Sequence, residues 1–441
     1  MRAAGTPTLT SEGGQRNGSA GIKARLRLGT IWNLLAAVST QGATFVVSLV
    51  VGRLLGTEGF GKYAAVTNTL LTIASVSQLA AGPTATKFLA ELRQSASARA
   101  FRIYLLLRLT CGANALVGAV GVFLGAEGLS RWLLGTGELE MLFRVGAVFV
   151  FFASLNALQT GVLAGFEAYR DLGLAGLVGG VFAVAASGMG GVYWGVTGAV
   201  LGFVATALVR YLVHTMRVAR NLAACRVPVS WRELLGEHRV ILDFSVPAAI
   251  SGLVLMPVVW LANAWLVKQP GGVSEFAVYS AAFTLRTMVL FVPGVVCNVA
   301  LSLLNNLRGA GAAAGFREVF RQSVWLVAVV GLLVALGLQV TGGWVVGWFG
   351  RDFSAGTNVL SVLLISGWLE AVTLVLYQRV QVSGRMWLSL GLVIIPWQAV
   401  FLAVAWWLVP LHGAFGLAVA MACGSVSFLL ATIIGIGWFA R

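Results

Sequence analysis

A chain of 441 residues with 59% hydrophobic residues, only 10% charged ones and a mean hydropathy of +0.90 is too apolar for a water-soluble domain. The excess of 30 Lys and Arg over 15 Asp and Glu sits in short loops between apolar runs, which is a topology signal rather than a nucleic-acid surface. Cys111, Cys225, Cys297 and Cys423 lie far apart with no histidines spaced beside them, which argues against a disulfide framework and a zinc site.

Residues 1 to 22 are rich in Gly, Ser and Thr and lack an apolar run, so they read as a disordered tail rather than a signal peptide. A helix crossing about 30 Å of hydrocarbon needs roughly 20 apolar residues, and the continuous runs exclude the alternation of a barrel. The pattern predicts twelve spans, near 28 to 52, 62 to 82, 101 to 125, 144 to 165, 174 to 193 and 195 to 216, then 240 to 267, 276 to 301, 322 to 341, 358 to 378, 386 to 409 and 413 to 438. With the N-terminus inside, the inner loops hold Lys87, Arg93, Arg99, Arg102, Arg170 and the basic linker 217 to 239, while the outer loops hold far fewer cations. Both termini are therefore expected in the cytoplasm.

The halves 23 to 216 and 240 to 441 resemble each other. Phe60-Gly61-Lys62-Tyr63-Ala64 lines up with Phe276-Ala277-Val278-Tyr279-Ser280 at an offset of 216, and Gly195-Val196-Thr197-Gly198 echoes Gly413-Ala414-Phe415-Gly416 at 218. Two matches at nearly one offset predict a parallel repeat, in which substrate lies between the halves. Gly56, Gly59 and Gly61 are expected to permit the tight reversal between the first two spans.

The segment Val51-Gly52-Arg53-Leu54-Leu55-Gly56-Thr57-Glu58-Gly59-Phe60-Gly61-Lys62-Tyr63 resembles the first loop of the polysaccharide-biosynthesis transporters, the O-antigen flippase branch of the multidrug/oligosaccharidyl-lipid/polysaccharide exporter superfamily. The likeness extends to Gly82-Pro83 and to Gly161-Val162-Leu163-Ala164-Gly165. The resemblance implies an all-α polytopic protein of two pseudo-symmetric six-helix bundles around a central cavity, as in MATE transporters. It also implies movement of a polyprenyl pyrophosphate-linked sugar across the bacterial inner membrane, in company with glycosyltransferases and a polysaccharide polymerase.

An intramembrane charge costs several kcal/mol, so a retained one normally faces a polar cavity or a partner. Arg286, in the eighth span, reads as the deepest cation of the chain. It is the first candidate for substrate binding, because a guanidinium grips pyrophosphate or an acidic sugar with paired hydrogen bonds; pairing with a neighbouring helix is the alternative. Arg108 in the third span and Arg53 at the outer end of the first are further substrate candidates, each also explicable as an interface anchor. Glu370 in the tenth span is a candidate ion-coupling carboxylate or a partner of Arg379, and Asp243 is either a coupling group or a cap for the seventh helix.

Asn33 and Gln41, eight residues apart, fall within about 80° on the first span and suit sugar hydroxyls as well as a helix interface. Most tryptophans, including Trp132, Trp265 and Trp406, read as interface belts, whereas Trp260 is a cavity candidate. Pro247, Gly252 and Pro257 predict a kinked hinge in the seventh span.

No Gly-x-x-x-x-Gly-Lys-Ser/Thr loop exists, so nucleotide hydrolysis by that route is excluded, and no cofactor or metal is expected. A drug/cation antiporter of the same superfamily would favour acidic rather than basic cavity charges. A membrane glycosyltransferase or polymerase would need convergent carboxylates in a sizeable loop, and the outer loops offer only Glu127, Glu138 and Glu140 in one short stretch.

Overall fold

The computed structural model describes residues 12–92, 96–225, 227–246, 248–249, 255–309, 313–354, 356–382 and 389–439. Every regular element among these is a helix, because only a helix or a closed barrel satisfies its own backbone in hydrocarbon. Seven helices are long and apolar enough to cross a membrane. Three of them, Glu12–Ser77, Tyr169–Asn221 and Ile395–Phe439, carry non-helical backbone at Gly56, Gly195 and Gly413, and each is a hairpin of two spans.

The fold in Tyr169–Asn221 is visible in its backbone contacts. A Cβ on Gly198 would sit 1.9 Å from the carbonyl oxygen of Gly190, so the two arms touch backbone to backbone across the reversal. The third, fourth, ninth and tenth spans are Ser97–Leu124, Glu140–Gly165, Ala313–Phe349 and Gly356–Val382. Leu255–Val267 and Gly272–Gly309 supply the seventh and eighth, which completes the twelve.

The repeat is structural. Gly195 (φ 59°, ψ −138°) and Gly413 (φ 52°, ψ −129°) make the same reversal 218 positions apart. After Gly56 and Gly271, both at positive φ, Phe60 stacks on Tyr63 at 6.2 Å and 24°, and Phe276 stacks on Tyr279 at 6.4 Å and 20°. In the second half, Glu275 Oε2 also accepts the Ala414 backbone N–H at 2.9 Å, where a carboxylate suits the positive end of the twelfth helix.

Local expectations need correction. Of the glycine triad only Gly56 turns the chain; Gly61 is helical, and its missing side chain admits Val273, whose carbonyl oxygen would lie 2.1 Å from a Cβ there. Residues 12 to 22 of the expected tail belong to the first helix, since extending an existing helix needs no new nucleus. The sixth span runs to Asn221 rather than ending at 216. The acids of the loop at 126 to 143 are paired, Glu127 with Arg131, Glu138 with Lys62 and Glu140 with Arg144, and the loop contains the helix Ala126–Leu134.

The linker between the halves is docked on the first one. Glu237 meets Arg99 at 3.1 Å and Arg102 at 3.7 Å. Its short helix Trp231–Gly236 opens with a capping box between Ser230 and Glu233, and the Ser230 backbone N–H, followed by its hydroxyl, holds the Glu233 carboxyl below the ordinary carboxylate range.

Candidate functional site

The two halves meet where the first helix, Glu12–Ser77, packs along the eighth span, Gly272–Gly309, and where the second and seventh spans run antiparallel. Near the face that carries the termini, Thr84 Oγ1 and Ser245 Oγ lie 2.9 Å apart and Phe88 packs edge-on against Phe244 at 5.8 Å. Deeper, Trp260 Nε1 donates to Thr69 Oγ1 at 2.9 Å and Asn263 Nδ2 to Asn68 Oδ1 at 3.5 Å, while Asn263 Oδ1 is buried with no partner. At the far face an aromatic cluster closes the seam, with Phe60 6.0 Å from Phe353 and Phe45 6.3 Å from Phe349. Polar groups thus occupy the middle of the seam and apolar rings its far end.

Beside the seam at the far face lies a pocket of 250 Å³ lined by Trp132, Leu261, Trp265, Lys268, Leu402 and Trp406 among others. Trp265 stacks on Trp406 at 4.0 Å and Trp132 on Trp260 at 5.3 Å, and the Lys268 ammonium lies 3.8 Å over the Trp132 ring. Trp132, Trp265 and Trp406, expected in interface belts, join with Trp260 into one aromatic wall. Trp260, on the second half, is a seam residue that bonds Thr69 and stacks on Trp132 of the first.

Arg286 lies fourteen residues in from Gly272, about 21 Å along the helix axis, well inside the hydrocarbon. Its Nε donates to Ser366 Oγ at 2.9 Å, and its Nη2 forms an ion pair with Glu370. Side-chain exposure is 3% for Arg286 and 17% for Glu370, so the pair is largely sealed between the eighth and tenth spans. The structure therefore unites two expected site residues as partners of each other. The expected mate of Glu370, Arg379, lies instead 5.9 Å over the Phe320 ring. Above the pair, the Tyr279 hydroxyl is buried without a partner.

The other candidates are not gathered around this pair. Arg53, Gln41 and Asp243 are exposed. Arg108 is exposed too, with Nη1 3.4 Å from the Tyr104 hydroxyl. Asp243 sits inside a π-turn, Ile241–Ser245, with no capping hydrogen bond, because the helix it was expected to cap begins before it. Pro257 is in the helix Leu255–Val267, while Pro247, Gly252 and the side chain of Asn33 lie outside the described residues.

Sequence reasoning missed a second deep cation. Arg210 lies fourteen residues after Val196 in the sixth span, the same depth as Arg286. Its Nε is buried with no hydrogen-bond partner, and a Cβ on Gly179 of the fifth span would fall 2.6 Å from it. One turn on, the buried His214 ring bonds Asn156 Oδ1 at 3.1 Å, and Gln159 Nε2 donates to Thr215 Oγ1 at 2.6 Å. The signal was present as Arg210 and His214 on one helix face opposite Asn156 and Gln159, spaced by three. Among the described residues no cluster of His, Cys, Asp and Glu has the composition of a metal site.

Twelve spans in two related bundles, joined by a seam with a polar middle, define a transporter fold. The chain matches the inward-facing structure of a multidrug resistance MATE family transporter of the MOP superfamily with a TM-score of 0.71 and 15% identity, over 93% of this chain and 97% of that one. It matches the lipid II flippase MurJ, in an inward closed conformation, with a TM-score of 0.70 and 10% identity, over 94% and 87%. At these identities the likeness is one of fold.

The chain belongs to the polysaccharide biosynthesis protein family, whose profile matches residues 26–301. It is 25% identical over 414 residues, 91% of each chain, to the EPS I polysaccharide export inner membrane protein EpsE of Ralstonia nicotianae. It is 21% identical over 408 residues to a putative O-antigen transporter of Shigella flexneri, covering 88% of this chain and 92% of that one. These relatives are transporters rather than enzymes.

Proposed function

We propose that this protein flips a lipid-linked oligosaccharide across the bacterial inner membrane by alternating access, with both termini in the cytoplasm. The observation that carries this reading is the seam: in an otherwise apolar chain of a polysaccharide biosynthesis family, Asn68, Thr69, Trp260 and Asn263 set amides, a hydroxyl and an indole N–H between two bundles. Such groups suit sugar hydroxyls, and a seam between parallel repeats is where rocking bundles expose a site to either side. The naming of relatives as export protein and O-antigen transporter supports the same substrate class.

In this reading residues 23 to 216 and 240 to 441 are the two moving units, and glycosyltransferases supply the sugar lipid. Arg286 at rest is neutralised by Glu370. A diphosphate or a proton that separates the pair exchanges one partner for another, which gives Arg286 a substrate role and Glu370 a coupling role. The drug/cation antiporter alternative is disfavoured by the charges themselves, since among the described residues the deep cations are Arg210 and Arg286, and the deep acid Glu370 is already paired with Arg286.

The test is reconstitution in vesicles with a fluorescent polyprenyl diphosphate-linked sugar and a membrane-impermeant quencher. Active protein exposes both leaflets to the quencher. Protection of half the signal with and without protein sinks the proposal.

A further inference from the structure

Two guanidinium groups lie at one depth in the membrane and are treated oppositely. Arg286 is bonded to Ser366 and Glu370. Among the described residues Arg210 has neither a hydrogen bond nor an ion pair: its Nε is buried and orphaned, and its terminal nitrogens, without partners there, are not sealed, so the residue is half-buried. Among the described residues the elements around it supply no acid. The fourth span presents the amides Asn156 and Gln159, and the sixth span itself presents His214, a further basic group. The fifth span presents Gly179, and its Asp171 is held at 2.9 Å by Arg217 and at 3.1 Å by Asn221. The first span touches Gly180 of the fifth through Ser39 and Ala43, and its helix has no Asp or Glu between Glu12 and Glu58.

A charge kept in hydrocarbon without a counter-charge is costly, and intramembrane cations that persist mark a ligand path or an ion pair. Among the described residues the ion pair is absent here. What the arrangement lacks is an anion with oxygen acceptors: a planar guanidinium with free terminal N–H groups binds phosphate or carboxylate in paired hydrogen bonds. The Oε1 acceptor of Gln159, whose Nε2 bonds Thr215 further along the same span, is also buried and unpaired, and it offers a site for a ligand hydroxyl.

We propose that Arg210 is the counter-charge of an anion site inside the first bundle, separate from the Arg286–Glu370 pair, and that it takes the phosphate or carboxylate oxyanion of a lipid headgroup. The inference rests on the transport reading only for the sugar such a lipid carries. It makes the first bundle, rather than Arg286, the holder of the open positive charge.

The test uses the full chain in nanodiscs with tritiated geranylgeranyl diphosphate as the probe. Arg210→Met weakens binding at least tenfold, Arg210→Lys weakens it less, and Arg131→Met, at the exposed ion pair with Glu127 in the outer loop, leaves it within twofold. Inorganic pyrophosphate displaces the probe from the wild type, whereas geranylgeraniol does not; displacement by the alcohol or by chloride alone overturns the oxyanion-lipid assignment. A second readout separates a binding role from a structural one. Removing an unpaired charge leaves the melting midpoint of the ligand-free protein unchanged or raised, so a lowered midpoint with binding intact in Arg210→Met overturns the proposal. Vesicles that fail to flip the sugar lipid while Arg210-dependent diphosphate binding persists would refute transport and leave this site standing.

Discussion

Replacing Glu370 by Ala removes the carboxylate bonded to Arg286 Nη2 and leaves a guanidinium whose side chain is only 3% exposed. The bond from Arg286 Nε to Ser366 Oγ at 2.9 Å survives, but a neutral hydroxyl does not balance the charge. Breaking a buried pair from one side costs about 3–5 kcal/mol, while replacing both partners by apolar residues of similar volume is often neutral. We therefore expect Glu370→Ala to lose about 3 kcal/mol or more in reversible unfolding in mixed micelles. The double variant Arg286→Met/Glu370→Leu should recover to within about 1 kcal/mol of wild type, a coupling that only contacting residues show. A Glu370→Ala protein within about 0.5 kcal/mol of wild type would refute the buried pair, because distant surface changes fall in that range. The double variant also divides structure from transport. If it is stable and flips the sugar lipid at the wild-type rate, the pair only holds the eighth and tenth spans together; if stable and silent, its charges act on substrate or coupling ion.

Gly61→Ala puts a Cβ 2.1 Å from the Val273 carbonyl oxygen and should cost about 1–3 kcal/mol by overpacking at the junction of the halves, whereas Gly42→Ala, with nothing within 4 Å, should be neutral or mildly stabilising in the same unfolding assay. Gly195→Ala and Gly413→Ala should each lose about 1–2 kcal/mol for an L-residue at positive φ. Gly413→Ala should lose more, because its Cβ would lie 2.7 Å from Glu275 Oε2 and disturb the Ala414 cap, and equal losses would refute that capping role. In a background without native cysteines, Thr84→Cys/Ser245→Cys should cross-link on oxidation, arrest flipping and regain it on reduction; a cross-linked protein that flips at full rate would exclude rocking at this contact.

What the sequence displays and what it hides separate along physical lines. The spans are legible because bilayer thickness sets a length and apolar composition fills it, and the repeat is legible because Gly195 and Gly413 must each supply a backbone conformation that other residues avoid. The pairing of Arg286 with Glu370 is not legible: 84 residues separate them, and hydropathy contains no term for which face of one span meets which face of another. The joining of Trp265 to Trp406 into one wall is hidden for the same reason.

Arg210 escaped notice for a different reason, a boundary. Closing the sixth span at 216 places Arg210 six residues from an aqueous end, where a long cationic side chain reaches headgroups. The helix continues to Asn221, so Arg210 stands eleven residues, about 16 Å, from its inner end, and its Nε is buried without a hydrogen-bond partner. Among the described residues no acid pairs with it, which separates it from an interface anchor whose charge water balances. Depth alone does not assign function, since Arg286 is equally deep and already satisfied. What distinguishes Arg210 is depth together with the absence of a partner among the described residues, and only the packed structure supplies the second condition.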